Sequence, residues 1–538
     1  MNLMSHILQR RLELPPPLTR DLVVQKDLPV PMPDGVVLLA DRWAPRNAEE
    51  GLPTALLRSP YGRSGMFGAA MARPLAERGF QVLIQSVRGG FGSGGTLDPM
   101  RQEREDGLTT LDWVVEQPWF GDSMVLVGVS YLGFVQWAVA DQLPPQVKAM
   151  IPQVTESALS LEFLRKDGMS LELPFEWGVM TAVQERPWAM LRSRSQAKKT
   201  ARALKMLPLN QADVAAIGHS SKYIQDILAF DANHEYWADA NHSHRVADVR
   251  VPVSSIGGWY DIFLPGQLRD FQTLQDEGRT ARLTVGPWTH AQFTNIGVLE
   301  AVDFGLAYAK GEVPADRAPV RLHVMGEDTW RDFDSWPPPG YAPKKFHLQA
   351  DGGLSGGTVP GAPSEEAEPD RYRYDPSDPT PAAGGISINH GGRVDNTALE
   401  SRPDVLTYTT DELDEDLEII GEVSAEIWFE SSLANADVFV RLCDVGPDGR
   451  SHNICDGLTS LSTADELSAV TVRLWPTAYV FKQGHRIRIQ VSSGAFPRFA
   501  RNPGTGESRA TATTLRSADQ AVYHGLNHPS AVILPVRI

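Results

Sequence analysis

The strongest constraint in this sequence is a regular alternation of short apolar runs and helical segments over the first 155 residues. The runs "TALLRSPYG", "FQVLIQSVRG" and "MVLVGVS" have the composition of strands that are buried on both faces. Between them, "GAAMARPLAERG" and "REDGLTTLDWVVEQ" carry apolar residues at helical spacing. Strands that alternate with helices predict an α/β fold, with a parallel sheet covered by helices on both faces.

The rest of the chain divides into three further segments. Residues 156–245 lose the strand signal and predict a helical cap inserted into the α/β core. The strand pattern returns over residues 246–315, where "VPVSSIGGWYD" and "ARLTVGPWTH" flank a helical stretch. Residues 316–538 combine Pro- and Gly-rich loops with short alternating runs, which predicts a C-terminal β-sandwich. The core is thus expected over residues 1–155 and 246–315.

The charge of the chain limits its partners. There are 67 acidic and 50 basic residues and the net charge is −17, whereas a surface that binds phosphates needs a basic excess. We therefore expect neither nucleic acid nor a membrane as a partner, while a homodimer stays open. The opening "MNLMSHILQRR" lacks an apolar core of signal-peptide length, so we expect a cytoplasmic protein. Two reduced thiols at Cys443 and Cys455 are favoured over a disulfide.

Three reactive side chains follow predicted strands: Ser130 after "MVLVGV", Asp261 after "VPVSSIGGWY" and His290 after "ARLTVGPWT". In doubly wound sheets, catalytic groups lie beyond the carboxyl ends of the strands. The order Ser, Asp, His along the chain is that of α/β-hydrolases. A serine hydroxyl needs a base to take its proton during attack, and that base needs a carboxylate to fix its tautomer. The sequence therefore predicts a Ser-His-Asp triad.

The motif around the serine departs from the usual one. Esterases of this type carry G-x-S-x-G, and here Gly128 and Ser130 fit, but Leu132 takes the place of the second glycine and Gly133 follows one residue late. Taken alone, the stretch also fits an ordinary serine in an apolar run. The matching positions of the aspartate and the histidine favour a nucleophile.

The motifs "GVSYLG", "GWYDIF" and "GPWTH", together with "RSPYGR", "VRLHVMGEDTW" and "GHRIRIQVSS", resemble the cocaine esterase-like (CocE/NonD) family of serine hydrolases. That family also includes X-prolyl dipeptidyl peptidases and α-amino-acid ester hydrolases, and a late glycine in the elbow is common in it. The resemblance covers nearly the whole chain. It implies an α/β-hydrolase core, a helical cap and a jelly-roll C-terminal domain packed near the active site.

The resemblance also implies residue roles, with Ser130 as nucleophile, His290 as general base and Asp261 as the acid that orients it. Tyr61 in "RSPYGR" matches the tyrosine that donates to the oxyanion, and the backbone N–H of Tyr131 supplies the second donor. Phe263, two residues after the aspartate, matches a position that lines the acyl pocket.

One position departs from the family pattern. Relatives often carry Asp where this chain has Ser86 in "LIQSVRGG", which leaves the pairing of a nearby arginine open. The sequence contains no convincing cofactor or metal motif, so we expect neither group. "GGFGSGG" has the spacing of a dinucleotide fingerprint, but "TLDPMRQ" with Pro99 follows instead of a helix. The "HSH" at His242 and His244 lacks the other ligands that a zinc site needs.

The expected function is hydrolysis of carboxylic esters with a neutral apolar or aromatic acyl group, through an acyl-enzyme. The alternative within the family is an amide hydrolase, either an X-Pro dipeptidyl peptidase or a β-lactam acylase. Relatives that recognise a free amino group place carboxylates soon after the triad aspartate, where this chain has Ile262, Phe263 and Leu264. That difference favours the ester hydrolase. A non-catalytic protein that binds carbohydrate through the jelly roll is a third alternative, which an intact triad disfavours.

Overall fold

The computed structural model describes residues 3–47, 51–158, 168–231, 234–292, 294–357, 368–388 and 390–538. The strands of its main sheet are β1 (Leu22–Pro31), β2 (Val37–Pro45), β3 (Thr54–Ser59), β4 (Gln81–Ser86), β5 (Met124–Val129), β6 (Val147–Gln153), β7 (Val253–Tyr260), β8 (Ala281–Thr289), β9 (Val320–Val324) and β10 (Thr329–Phe333). Their spatial order is β1-β2-β4-β3-β5-β6-β7-β8-β9-β10. The strands from β4 to β9 in this order run parallel, and β1, β2 and β10 pair antiparallel with their neighbours.

The central strands are buried on both faces because helices cover each side of the sheet. The first helices of the chain are α1 (Leu3–Arg11), α2 (Gly65–Ala76), α3 (Glu103–Val115) and α4 (Tyr131–Trp137). Leu56 of β3 belongs to one buried cluster with Leu111 of α3, and Leu57 belongs to the opposite cluster with Leu75 of α2. Successive residues of β3 thus face opposite sides, as the pleat of a strand requires. Each leucine buried in this way stabilises the fold by about 1.5–3 kcal/mol.

A helical insert connects β6 to β7. Its α-helices are α5 (Glu172–Val183), α6 (Ala189–Ala203), α7 (Ala212–Ile217) and α8 (Lys222–Ala229). They share a buried cluster that also takes in Ala500 and Ala510 from the C-terminal region. The insert is therefore packed against the C-terminal region, and its residues Leu173, Trp177 and Tyr223 pack against a second cluster that contains Tyr131 and Phe134 of α4. Residues 159–167, the start of the predicted cap, lie outside the described residues.

The main sheet extends beyond residue 315, where the sequence analysis ended the core. After α9 (Leu264–Asp276), α10 (Ile296–Glu300) and α11 (Leu306–Ala309), strand β9 pairs parallel with β8, and β10 closes a hairpin on β9. Val320, Leu322 and Val324 are buried while β10 is largely open to solvent. In the sequence, the apolar residues of β9 alternate with Arg321 and His323, which explains why this stretch resembled a sandwich strand.

The C-terminal region forms two antiparallel sheets that face each other across one large buried cluster. Its elements are β11 (Tyr341–Leu348), β12 (Leu354–Ser355), β13 (Asp370–Tyr374), α12 (Thr397–Glu400), β14 (Leu406–Thr409), β15 (Leu417–Gly421), β16 (Ser424–Ser431), β17 (Ala436–Val445), β18 (Ser451–Leu461), β19 (Ser468–Arg473), β20 (Thr477–Phe481), β21 (Arg486–Ser492), β22 (Ala518–Tyr523) and β23 (Ala531–Arg537). The smaller sheet has the order β14-β21-β17-β18, and the other strands form the larger one. The predicted β-sandwich is thereby confirmed.

Two further features bear on the expectations from the sequence. Cys443 on β17 and Cys455 on β18 are both buried and unbonded to each other. Among the described residues, no helix is both long enough and apolar enough to cross a bilayer.

Candidate active site

Ser130 occupies a sharp turn between β5 and α4. Its backbone angles are φ 54° and ψ −122°, a conformation that few residues with a side chain adopt. The Ser130 N–H donates to the carbonyl of Gln153 at the end of β6, at 2.8 Å. This bond anchors the turn to the neighbouring strand, so the strained backbone holds the hydroxyl out beyond the sheet.

The late glycine of the elbow has a steric cause. A Cβ on Gly128 would lie 2.4 Å from Cβ of Leu132, and a Cβ on Gly133 would lie 2.5 Å from Cγ2 of Thr155. Leu132 itself is fully buried among the apolar residues on one face of the sheet. Gly133 is therefore the residue that passes close to Thr155, whereas Leu132 packs into the hydrophobic core.

The structure brings together the three side chains that the sequence predicted as a triad. His290 Nε2 lies 2.9 Å from Ser130 Oγ, and His290 Nδ1 lies 2.7 Å from Asp261 Oδ2. A carboxylate only accepts hydrogen bonds, so Nδ1 carries the ring proton and Nε2 is free to accept from the serine hydroxyl. The register of β7 and β8 pairs Tyr260 with Thr289, which places the aspartate and the histidine side by side.

Asp261 is fully buried and its orientation is fixed from two sides. Its Oδ1 accepts from the Phe263 N–H at 2.8 Å, while Oδ2 faces the histidine. Its backbone carbonyl accepts from Trp475 Nε1, at 3.2 Å. Trp475 belongs to the C-terminal sandwich, and nothing in the sequence pattern pointed to this contact.

The two residues predicted to donate to an oxyanion flank the serine. Burial raises the pKa of the Tyr61 phenol from 10.0 to about 12, although hydrogen bonds with Trp177 and Ser130 oppose this. The phenol therefore keeps its proton well above neutral pH. The Tyr131 N–H, at the start of α4, has no acceptor among the described residues, which leaves it available to a substrate oxygen.

The Tyr131 side chain belongs to a buried polar network behind the site. Its hydroxyl donates to Glu103 Oε1 at 2.8 Å and accepts from the Met100 N–H at 2.7 Å. Glu103 pairs with Arg58 at 3.0 Å. Burial raises the pKa of the Glu103 carboxyl, and the interactions with Arg58 and the Tyr131 hydroxyl limit this rise. The network fixes the position of the residue that follows Ser130.

A cavity of about 480 Å³ opens onto the serine. Its walls come from the core, the insert and the loop at Ile388, and the described residues that line it include no Asp, Glu, Lys or Arg. The aromatic side chains of the lining are Tyr61, Phe67, Tyr131, Trp177, Tyr223, Phe263 and Trp288. Phe263 lies edge-on to the His290 ring, with the centroids 5.3 Å apart. The site is thus an apolar pocket with a few neutral polar groups.

The departure at Ser86 is compensated by residues elsewhere. Arg63 donates to the Ser86 hydroxyl at 3.2 Å and to Asp41 Oδ1, also at 3.2 Å, and it pairs with Asp27 as well. Asp41 on β2 is fully buried. The arginine near the edge of the site therefore has its carboxylate from another strand, and its charge is balanced without an acid at position 86.

The described residues hold no group of three or more His, Cys, Asp or Glu side chains placed to bind a metal ion. The sheet order, the elbow and the Ser-His-Asp arrangement at the carboxyl ends of β5, β7 and β8 define the class of α/β-hydrolases. The chain belongs to the X-Pro dipeptidyl-peptidase (S15) family, whose sequence model matches residues 34–292. The model of the X-Pro dipeptidyl-peptidase C-terminal non-catalytic domain matches residues 312–533. The chain is a serine hydrolase.

Relatives match along nearly the whole chain. Cocaine esterase from Rhodococcus sp. (strain MB1 Bresler) is 31% identical over 573 residues, covering 95% of this chain and 98% of that enzyme. An aminopeptidase from the archaeon Thaumarchaeota archaeon has a TM-score of 0.83 at 21% identity, covering 98% of this chain and 99% of the other. An α-amino acid ester hydrolase has a TM-score of 0.81 at 22% identity, covering 96% and 97%. The predicted family and fold class are confirmed.

Proposed function

We propose that this enzyme hydrolyses carboxylic esters with a neutral, apolar or aromatic acyl group, and that Ser130 is the nucleophile. The relative named cocaine esterase supports an ester as the substrate. The observation that carries the proposed acyl specificity is the cavity beside the serine, which is lined by aromatic and aliphatic side chains and by no carboxylate among its described residues. An ammonium group buried there would lose water and gain no partner of opposite charge.

The proposed reaction follows from the hydrogen bonds around the serine. Ser130 Oγ attacks the ester carbonyl while its proton passes to His290 Nε2, and Asp261 stabilises the imidazolium that forms. The Tyr61 hydroxyl and the Tyr131 N–H donate to the oxyanion. The histidine then gives the proton to the leaving alcohol, which departs and leaves an acyl-Ser130 ester. Water attacks this ester, with the same histidine as base, and releases the acid.

A matched pair of substrates tests the proposal. Phenyl esters of phenylacetic acid and of phenylglycine differ by an α-amino group on an otherwise similar acyl chain. We expect kcat/KM to favour the phenylacetyl ester by at least about 100-fold, because the charged amine finds no carboxylate. A preference for the amino ester would overturn the proposed specificity. Faster cleavage of phenylacetyl anilide than of the ester would identify the alternative amide hydrolase.

The nucleophile is tested with two serine variants. Ser130→Ala should lose all measurable turnover, and mass spectrometry should find the acyl group on Ser130 in the wild-type enzyme. Ser64→Ala is the control, because Ser64 is exposed and its side chain makes no capping hydrogen bond at α2. Turnover by Ser130→Ala at the wild-type rate would contradict the assignment.

A further inference from the structure

The insert reaches the proposed oxyanion site through one residue of α5. Trp177 Nε1 donates to the Tyr61 hydroxyl oxygen at 2.9 Å, although the two residues are 116 positions apart in the chain. Both side chains are half-buried in the cavity wall beside Ser130. The contact therefore joins the insert to the group proposed to stabilise the oxyanion.

The chemistry of indole gives this contact a direction. An indole N–H can only donate a hydrogen bond, so the Tyr61 oxygen must accept it. The phenol proton then points away from the tryptophan. Tyr61 and Ser130 both line the cavity. The Tyr61 O–H is thus directed away from the insert helix and stays available to a substrate oxygen in the cavity.

The indole ring itself is held by two aromatic neighbours. It stacks on Tyr131 with the ring centroids 5.7 Å apart and the planes at 5°, and Tyr223 meets it edge-on at 5.0 Å. Gly178 lets α5 lie close to α8, because a Cβ there would stand 2.7 Å from Ile224 Cγ1. The N–H donor is therefore placed by rigid neighbours, which is the condition for a preorganised site.

We propose that Trp177 is a positioning residue that acts through Tyr61 and not merely a wall of the acyl pocket. The proposal rests on the proposed role of Tyr61 as an oxyanion donor. The indole N–H occupies one side of the Tyr61 oxygen and so keeps the phenol proton from pointing toward the insert. Its hydrogen bond also polarises the phenol, which strengthens the bond that the phenol makes to the oxyanion. Its effect should therefore fall on kcat, since charge on the substrate oxygen develops only during the reaction.

A double-mutant cycle separates this role from a structural one. Tyr61→Phe should lower kcat by about 10²–10³-fold. Trp177→Phe should lower kcat by about 3- to 10-fold, the effect of one neutral hydrogen bond, with little change in KM. In the Tyr61→Phe background, the same tryptophan change should lower kcat by less than about 2-fold. Equal losses in both backgrounds, or a rise in KM with kcat unchanged, would overturn the proposal.

Controls keep the result tied to the folded enzyme. The rate is normalised to serine labelled by a fluorophosphonate, and Trp177→Leu provides a second variant without the donor. Trp237→Phe removes an indole N–H that donates to the Asp231 carbonyl inside the insert, at 2.9 Å, and should leave kcat unchanged. If Tyr61→Phe alone leaves kcat unchanged, the oxyanion assignment fails. If only the coupling is absent, the positioning role fails and the proposed function stands.

Discussion

His242 is a histidine buried without a partner, close behind the nucleophile elbow. It is 2% exposed, and neither ring nitrogen has a hydrogen-bond partner among the described residues. Its ring lies 5.2 Å from that of Phe134 on α4. Burial, together with the nearby charges of Arg245 and Arg104, lowers its pKa from 6.5 to about 3. The ring therefore stays neutral in the folded protein when an exposed histidine would be charged.

This histidine should make the fold sensitive to acid. Below about pH 6.5 the unfolded chain binds a proton at His242 and the folded chain does not. The free energy of unfolding therefore decreases as the pH falls from about 6.5 toward the lowered pKa of the folded state. His242→Leu should remove this part of the dependence. Between about pH 8 and about pH 5, urea denaturation should show the wild type losing about 2 kcal/mol more than the variant. Equal losses would contradict a buried neutral His242.

The residues of the proposed triad could be predicted because each one directly follows a strand with a clear apolar pattern. The sheet sets the positions of Ser130, Asp261 and His290, because each one follows the end of a strand. Strands of a parallel sheet can be recognised in the sequence, and catalytic groups are expected beyond their carboxyl ends. Trp177 could not be predicted in the same way. It lies on a helix of the insert, and only the tertiary packing of that insert brings it to Tyr61. Asp41, which balances Arg63, was missed because only the pairing of β2 with β4 brings it beside that arginine.

Among the elements, the loop after β7 depends on the C-terminal sandwich. Trp475, between β19 and β20, donates to the Asp261 carbonyl, and the guanidinium of Arg498 lies 5.4 Å from its ring centre. Arg498 in turn pairs with the buried Asp456. Burial opposes ionisation of this carboxyl, but Arg498 and Arg441 outweigh it and lower the pKa. The sandwich thus presents a rigid face to the loop that carries Asp261, the aspartate of the proposed triad.

Removing the indole donor of Trp475 should disturb this loop. Trp475→Phe keeps an aromatic ring at this position but loses the hydrogen bond to the Asp261 carbonyl. We therefore expect kcat/KM to fall by about 3- to 10-fold. Steady-state kinetics on a phenyl ester provide the measurement. Trp428→Phe on β16 is the matched control, since its ring contacts His528 on the sandwich surface, and it should keep wild-type kinetics. Equal activity of both variants would show that the contact does not position the loop.

The elements that the sequence predicted well are those buried on both faces. The strands β3, β4 and β7 are buried along their whole length because helices cover each side of the sheet. The hairpin of β9 and β10 was assigned to the sandwich because an antiparallel edge strand alternates in the same way as a sandwich strand. Periodicity describes how a strand is covered and does not say which sheet it joins.

At the scale of the whole molecule, buried phenols are spread through the core and the sandwich. Burial raises the pKa of Tyr260, Tyr372, Tyr374, Tyr408 and Tyr479 above the ordinary 10.0. The folded protein therefore holds these groups neutral at a pH where the unfolded chain releases their protons. Folding is coupled to the protonation of several tyrosines at once.

We expect the unfolding free energy to fall steeply as the pH rises above about 10, toward the raised pKa values of the folded state. Tyrosinate absorbance should show fewer phenols titrating in the native protein than in urea. Tyr374→Phe removes one such group and should reduce the decline between about pH 9 and about pH 11. If the native and unfolded proteins titrate alike, these phenols are accessible and the coupling is absent.

The position of Trp177 also bears on how such enzymes can be recombined. A chimera that replaces the residues between β6 and β7 with a foreign insert would keep the serine, the histidine and the aspartate, all of which belong to the core. It would lose the donor to Tyr61 unless the new insert supplied an N–H at the same point. If Trp177 has the proposed role, an exchange of inserts in this scaffold also changes the group that supports the oxyanion donor, and libraries built that way should be screened for turnover as well as for substrate range.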